Sequence, residues 1–171
     1  SDVLKPISTA QQTALNLKVN VEGITTASLI SSTTTYSANI VINTTGYTTS
    51  GDNGGWGWKQ NGVTGQTVSQ SPAQLLNGLF NDGNGNQWAL RAGPSRVNIK
   101  ALGAVESTDA TNVFKAAIAS GFKYDASGDY TISDSLTATS KVNLISTRGV
   151  ITVAASSSVN PLFHLKNAPK S

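Results

Sequence analysis

Cysteine and methionine are both absent from the 171 residues. Without Cys the chain has no disulfide, no thiol nucleophile and no thiolate metal site. A chain lacking Met even at position 1 reads as a piece of a longer polypeptide, and no signal peptide is visible. Charge is scarce. Asp, Glu, Lys and Arg make up 12% of the chain, about half the usual share. The net charge of +3 comes from scattered basic residues, so no patch points to nucleic acid. No apolar run approaches the ~20 residues of a membrane helix, so no membrane insertion is expected. There is a single histidine, His164. A secreted or exposed chain without disulfides needs another source of stability, and tight association between copies is one.

Ser, Thr, Asn and Gly fill the space that charge leaves. Thr suits pleated surfaces, while Asn and Gly suit corners, so the composition predicts a mainly β protein with many turns. Small net charge and recurrent apolar residues, 38% of the chain, argue against disorder.

Residues 1–23 form a lead-in with two competing patterns. Ser8 and Gln11 have capping-box spacing. Ile7, Ala14 and Val21, with Ala10, Leu17 and Ile24, fall on a heptad seam that would suit a three-stranded bundle. Against this, Leu15, Leu17, Val19 and Val21 alternate with polar residues, which is strand periodicity. The reading is a short helix from about Thr9 to Leu17, then an extended segment to Gly23.

Residues 24–92 read as a small β-rich domain. Thr25 or Thr26 can cap a helical turn carrying Leu29 and Ile30. Ala38 to Ile42 reads as a strand, and a Gly-rich turn at 46–55 feeds a second one through Trp56 to Lys59. Asn81 to Asn86 is a tight turn ahead of the strand from Gln87 to Leu90. Residues 93–96 read as a linker. Over 97–171 a short strand precedes a helix with an apolar stripe of Phe114, Ala117 and Ile118. Thr108 or Asp109 can cap that helix and Gly121 can stop it. Short strands then recur at 130–132, 142–145, 150–153 and 162–165.

These segments carry a resemblance. Val97-Asn98-Ile99-Lys100-Ala101-Leu102-Gly103-Ala104, then Thr108-Asp109-Ala110-Thr111 with Phe114 to Ile118, then Gly128-Asp129-Tyr130-Thr131-Ile132, resemble the opening of the pectate-lyase-like right-handed β-helix of bacteriophage tailspikes. Gly46-Tyr47, the run Gly51-Asp52-Asn53-Gly54-Gly55, and Asp82 to Leu90 are similar to elements that precede it in that family. Asn53 stands at a family glycine, and Asn tolerates left-handed backbone. Ala110 stands at a family Asp, which alters the helix cap. The resemblance implies an attachment domain over 24–92 and, over 97–171, a capping helix with the first rungs of a parallel β-helix. It also implies a homotrimer whose lead-in seam would use Ile7, Ala14, Leu17, Val21 and Ile24. The helix would be a lid, because a solenoid must hide its terminal apolar layer.

Candidates for chemistry are few. Asp125, Asp129 and Asp134 lie close together, as a hydrolase pair would, but their Gly- and Ser-rich context reads as turns. His164 has no Cys or carboxylate cluster near it and reads as structural. Asp52 and Asp82 sit in Gly/Asn-rich turns but lack the closing Glu of a calcium loop. Residues 54–57 lack the Gly-Lys-Ser/Thr of a phosphate loop. No catalytic residue, metal or cofactor is expected. Trp56, Trp58 and Trp88 are candidates either for core and subunit interface or for stacking on sugars.

The leading functional reading is a module fixing a trimeric phage tailspike to the virion tail, its baseplate or another spike. The full protein would recognise and depolymerise a bacterial surface polysaccharide, acting outside the cell as part of the virion. The alternatives are a carbohydrate-binding β-domain using the tryptophans, and a polysaccharide-cleaving enzyme in its own right.

Overall fold

The structure is a computed structural model that describes residues 8–11, 23–91, 95–138, 142–153 and 163–165. Ile7, Ala14, Leu17 and Val21 of the expected seam lie outside these residues, as does most of the lead-in helix. Its capping box is present. The Ser8 N–H donates to Gln11 Oε1 (3.0 Å) and the Gln11 N–H donates to Ser8 Oγ (3.2 Å). Ile24 packs half-buried against this chain's own core.

The first half is an antiparallel sheet with one covered face. Helix α1 (Thr26–Ser31) is capped by Thr25, whose hydroxyl accepts the Ser28 N–H. Strands β1 (Val41–Asn43), β2 (Gly57–Gln60), β3 (Leu79–Asn81) and β4 (Gln87–Leu90) are ordered β1-β2-β4-β3. The register aligns Ile42 with Trp58 and Leu90, and Gln60 with Trp88 and Phe80. With side chains alternating along each strand, this register puts all six on one face, and all six are buried. Leu29 and Ile30 of α1 belong to the same core. The expected strand from Ala38 starts later, at Val41, because Asn39 takes φ 68° and breaks the extended run. Strand β3 was not expected. Its three residues stand between the turn formers Asn77-Gly78 and Asp82, which mask it.

The second half coils. Strand β5 (Val97–Asn98) pairs parallel with β6 (Tyr124–Asp125), which pairs parallel with β9 (Leu144–Ile145). Strand β7 (Tyr130–Ile132) pairs parallel with β10 (Ile151–Val153), and β8 (Leu136–Ala138) with β11 (Phe163–Leu165). Three sheets thus advance together, one strand each per turn of chain, which is a parallel β-helix. Strand β8 is a further element not expected from the sequence. Inside the coil, Tyr124, Ala126, Tyr130, Ile132, Leu136 and Ala138 are almost fully buried.

Above β6, β7 and β8 the first rung is incomplete. Strand β5 covers β6. An isolated parallel bridge from Asp109 to Thr131 covers β7. Over β8 there is no strand among the described residues; helix α2 (Thr111–Ser120) packs there, and also on the 3-10 turns Pro72–Leu75 and Ile99–Leu102. Phe114 is fully buried and meets the Tyr130 ring edge-on at 5.6 Å. Ala117 and Ile118 continue the buried stripe, and Gly121 ends the helix in left-handed backbone. The cap differs from expectation. Ala110 occupies the N-cap position, and Asp109 behind it accepts the Thr111 N–H at 2.9 Å.

Pairing changes from antiparallel at β4 to parallel at β5. One buried cluster spans both halves, from Leu29 through Trp88 and Ile99 to Ala138.

Phe114→Ala should lower unfolding free energy by about 3–5 kcal/mol, the usual cost of truncating a buried Phe. Chemical denaturation read by Trp fluorescence checks this; an unchanged midpoint would mean that α2 does not cover the coil.

Candidate functional site

The place where the two halves meet is built by the loop 46–54, and Asp52 organises it. Its Oδ1 accepts the N–H groups of Tyr47 (2.7 Å) and Gly54 (2.8 Å), and its Oδ2 those of Thr48 (2.8 Å) and Thr49 (3.0 Å). Burial pushes its pKa up, but these backbone donors outweigh that and hold the carboxyl below its usual range. Asn53 takes φ 64°, as its left-handed tolerance allows.

The loop then touches the first rung. A Cβ added at Gly54 would stand 2.9 Å from the Lys100 carbonyl oxygen, and one at Gly103 would stand 2.9 Å from the Tyr47 ring. Only bare backbone fits both contacts. Burial, opposed by a bond to Ser71, pushes the Tyr47 hydroxyl up to about 12, so it stays neutral. Between the halves lies a cleft of about 230 Å³ whose lining includes Tyr47, Asp52, Lys100, Ala104, Val105 and Glu106. Its charges are mutually engaged: Lys100 Nζ sits 2.8 Å from Glu106 Oε1, and Arg148 Nη2 lies 3.5 Å from the same oxygen.

The carboxylates singled out in the sequence do structural work on separate corners. Asp125 Oδ1 accepts both the N–H and the hydroxyl of Ser127 (2.9 and 2.6 Å), and Ser127 Oγ accepts the Thr147 N–H of the next rung (2.9 Å). Asp109 repeats the device. It holds the N–H and hydroxyl of Thr111 (2.9 and 2.6 Å), and Thr111 Oγ1 accepts the Ser133 N–H (2.8 Å). Asp129 accepts the Val150 N–H, and Asp134 pairs with Lys115. The two corners share one sequence pattern, Asp109-Ala110-Thr111 and Asp125-Ala126-Ser127.

Asp82 is fully buried. It accepts the Asn84 and Asn86 N–H groups (both 2.9 Å), the Asn86 side-chain amide and the Trp88 indole N–H (2.8 Å). Its lone pairs are committed to protein donors. Among the described residues no group of three His, Asp or Glu could hold a metal, and no helix is long and apolar enough to cross a membrane.

The tryptophans divide. Trp58 and Trp88 are fully buried. Trp58 meets Phe80 edge-on at 4.9 Å and donates to Thr26 Oγ1; Trp88 stacks on Phe80 at 6.2 Å. A fully buried indole has no face for a sugar, which corrects the glycan-stacking alternative for these two. Trp56 lies just ahead of β2 and is half-buried, its indole N–H donating to the Arg91 carbonyl (3.0 Å). The His164 backbone pairs with Thr137.

Solved structures share this fold. The enzymatically active domain of tailspike protein 4 of bacteriophage CBA120 matches with a TM-score of 0.58 at 15% identity, over 96% of this chain and 23% of that one. The corresponding domain of tailspike protein 2 of the same phage matches with a TM-score of 0.60 at 16% identity, over 93% of this chain and 24% of that one. The chain thus spans about a quarter of the length of these tailspike chains. No family model and no curated protein matches the sequence. The fold is a tailspike fold.

Asp52→Asn should cost about 1–3 kcal/mol, because the amide oxygen replaces only part of what two charged oxygens accept. Acid should act in the same direction. The pKa values of Asp52, Glu106, Asp109, Asp125 and Asp134 are all lowered. Their stabilisation is complete above the ordinary carboxylate range of about 4 and is lost as pH falls through the lower folded values. Melting temperature should therefore be level near neutrality and drop steeply below that range, with Asp52→Asn showing a shallower drop.

Proposed function

We propose that this chain is the N-terminal portion of a trimeric phage tailspike, where it joins the virion side of the spike to the β-helix that acts on a bacterial surface polysaccharide. The observation that supports this best is the covered first rung. Helix α2 closes the coil over β8, and the antiparallel sheet docks beside it through the Asp52 loop. A parallel coil sealed in this way can extend only away from the sheet. The antiparallel half is then free to meet the tail, the baseplate or another spike.

The solved domains of like fold are titled enzymatically active, and they are about four times as long as this chain. That supports a depolymerase at full length. Among the described residues the carboxylates bind corners, loops and basic side chains, which supports placing the cleaving groups on further rungs. The seam residues Ile7, Ala14, Leu17 and Val21 support a three-fold association at the lead-in. The virion, and the exterior of the host cell, are where such a protein works.

Two assays test this together. The isolated chain should release no reducing ends from capsule or O-antigen, yet compete with the full spike for particles lacking it. Glycan cleavage by the chain alone would overturn the module reading, and failure to compete would overturn the attachment role. Light scattering should report a trimer for the spike, and a stable monomer would contradict the seam.

A further inference from the structure

The sequence holds four Asn-Gly pairs, Asn53-Gly54, Asn61-Gly62, Asn77-Gly78 and Asn84-Gly85. This dipeptide is chemically labile, because a following residue without a Cβ lets its backbone nitrogen reach the Asn side chain. A nitrogen whose N–H is held by an acceptor must first give that bond up. Three of the pairs are restrained in this way. The Gly54 N–H donates to Asp52 Oδ1 (2.8 Å), the Gly62 N–H to Gln60 Oε1 (2.8 Å) and the Gly85 N–H to the Asp82 carbonyl (3.0 Å). Asn61 is further clamped, its amide donating to Gln87 Oε1 (2.7 Å) and its oxygen accepting the Val63 N–H (3.1 Å).

Asn77-Gly78 differs. Among the described residues the Gly78 N–H has no acceptor, and the exposed Asn77 side chain makes no hydrogen bond. Leu76, Asn77 and Gly78 also take successive positive φ values of 48°, 57° and 69°. For Leu such backbone is strained, so a change in covalent path here relieves strain.

We propose that Asn77 is the site at which the folded chain undergoes spontaneous deamidation. The Gly78 nitrogen bonds to Asn77 Cγ, the Cγ–Nδ2 bond breaks, and ammonia leaves carrying the proton from that nitrogen. Water then opens the cyclic imide at either carbonyl, giving Asp or isoaspartate. No oxidant, reductant or further reactant enters. The product carries a carboxylate next in sequence to Leu76, which itself lines a groove of about 550 Å³ with Gln74, Val113 and Lys115. The isoaspartate form adds a backbone carbon just ahead of β3. This inference is independent of the tailspike reading.

The test is incubation of the folded chain at mildly alkaline pH, followed by peptide mapping with site-resolved mass spectrometry and isoaspartyl methyltransferase labelling. The amide-to-acid mass increment should accumulate at Asn77 at least several-fold faster than at Asn53, Asn61 or Asn84. In urea the four sites should converge, which shows that the fold makes the selection. Asn77→Gly, which keeps the left-handed backbone, should abolish most of the methyltransferase signal. Equal rates at the four sites in the folded chain, or a faster rate at any of the other three, would overturn the proposal.

Discussion

A parallel coil has an end problem, and the rest of this molecule is arranged around solving it. Each rung buries its interior against the next, so the first rung has an apolar layer with nothing above it and strand edges that invite pairing with other chains. Here the layer is closed by unlike pieces: a two-residue strand over β6, a single bridge over β7 and helix α2 over β8. The helix works because its stripe of Phe114, Ala117 and Ile118 points into the coil, while its backbone groups bond internally and offer no new edge.

That closure couples the two halves. Helix α2 also packs against Pro72–Leu75 in the antiparallel half, and the loop around Asp52 lays bare glycine backbone against the first rung. A carboxylate gathering backbone N–H groups is a compact way to hold an irregular loop in one shape, since it satisfies donors that no strand would. The Asp-Ala-Ser/Thr corners use the same chemistry between rungs. Among the described residues, Asp52, Asp82, Asp109, Asp125 and Asp129 are thus spent on backbone geometry, while Glu106 and Asp134 pair with basic side chains.

Much of the architecture was legible because it rests on local chemistry. The Thr25 cap, the Ser8–Gln11 capping box, the Gly121 stop and the left-handed Asn53 each depend on a few neighbouring residues. What was missed depends on distant partners. Strand β3 is defined by pairing with β4, and β8 by pairing with β11, and neither three-residue segment has enough alternation to stand out. The strand start at Val41 turned on a single positive φ at Asn39. The tryptophans illustrate the same limit: their spacing left core and sugar platform open, and only the register of β2 and β4 puts Trp58 and Trp88 inside.

The central claim is that the antiparallel sheet and the β-helix opening form one cooperative unit. Native-state hydrogen exchange across a denaturant series tests it directly. Amides of β4, such as Trp88, and of β7, such as Thr131, should merge into one opening with the same free energy and denaturant dependence. Two separate openings, with the sheet exchanging while the coil stays protected, would contradict the account.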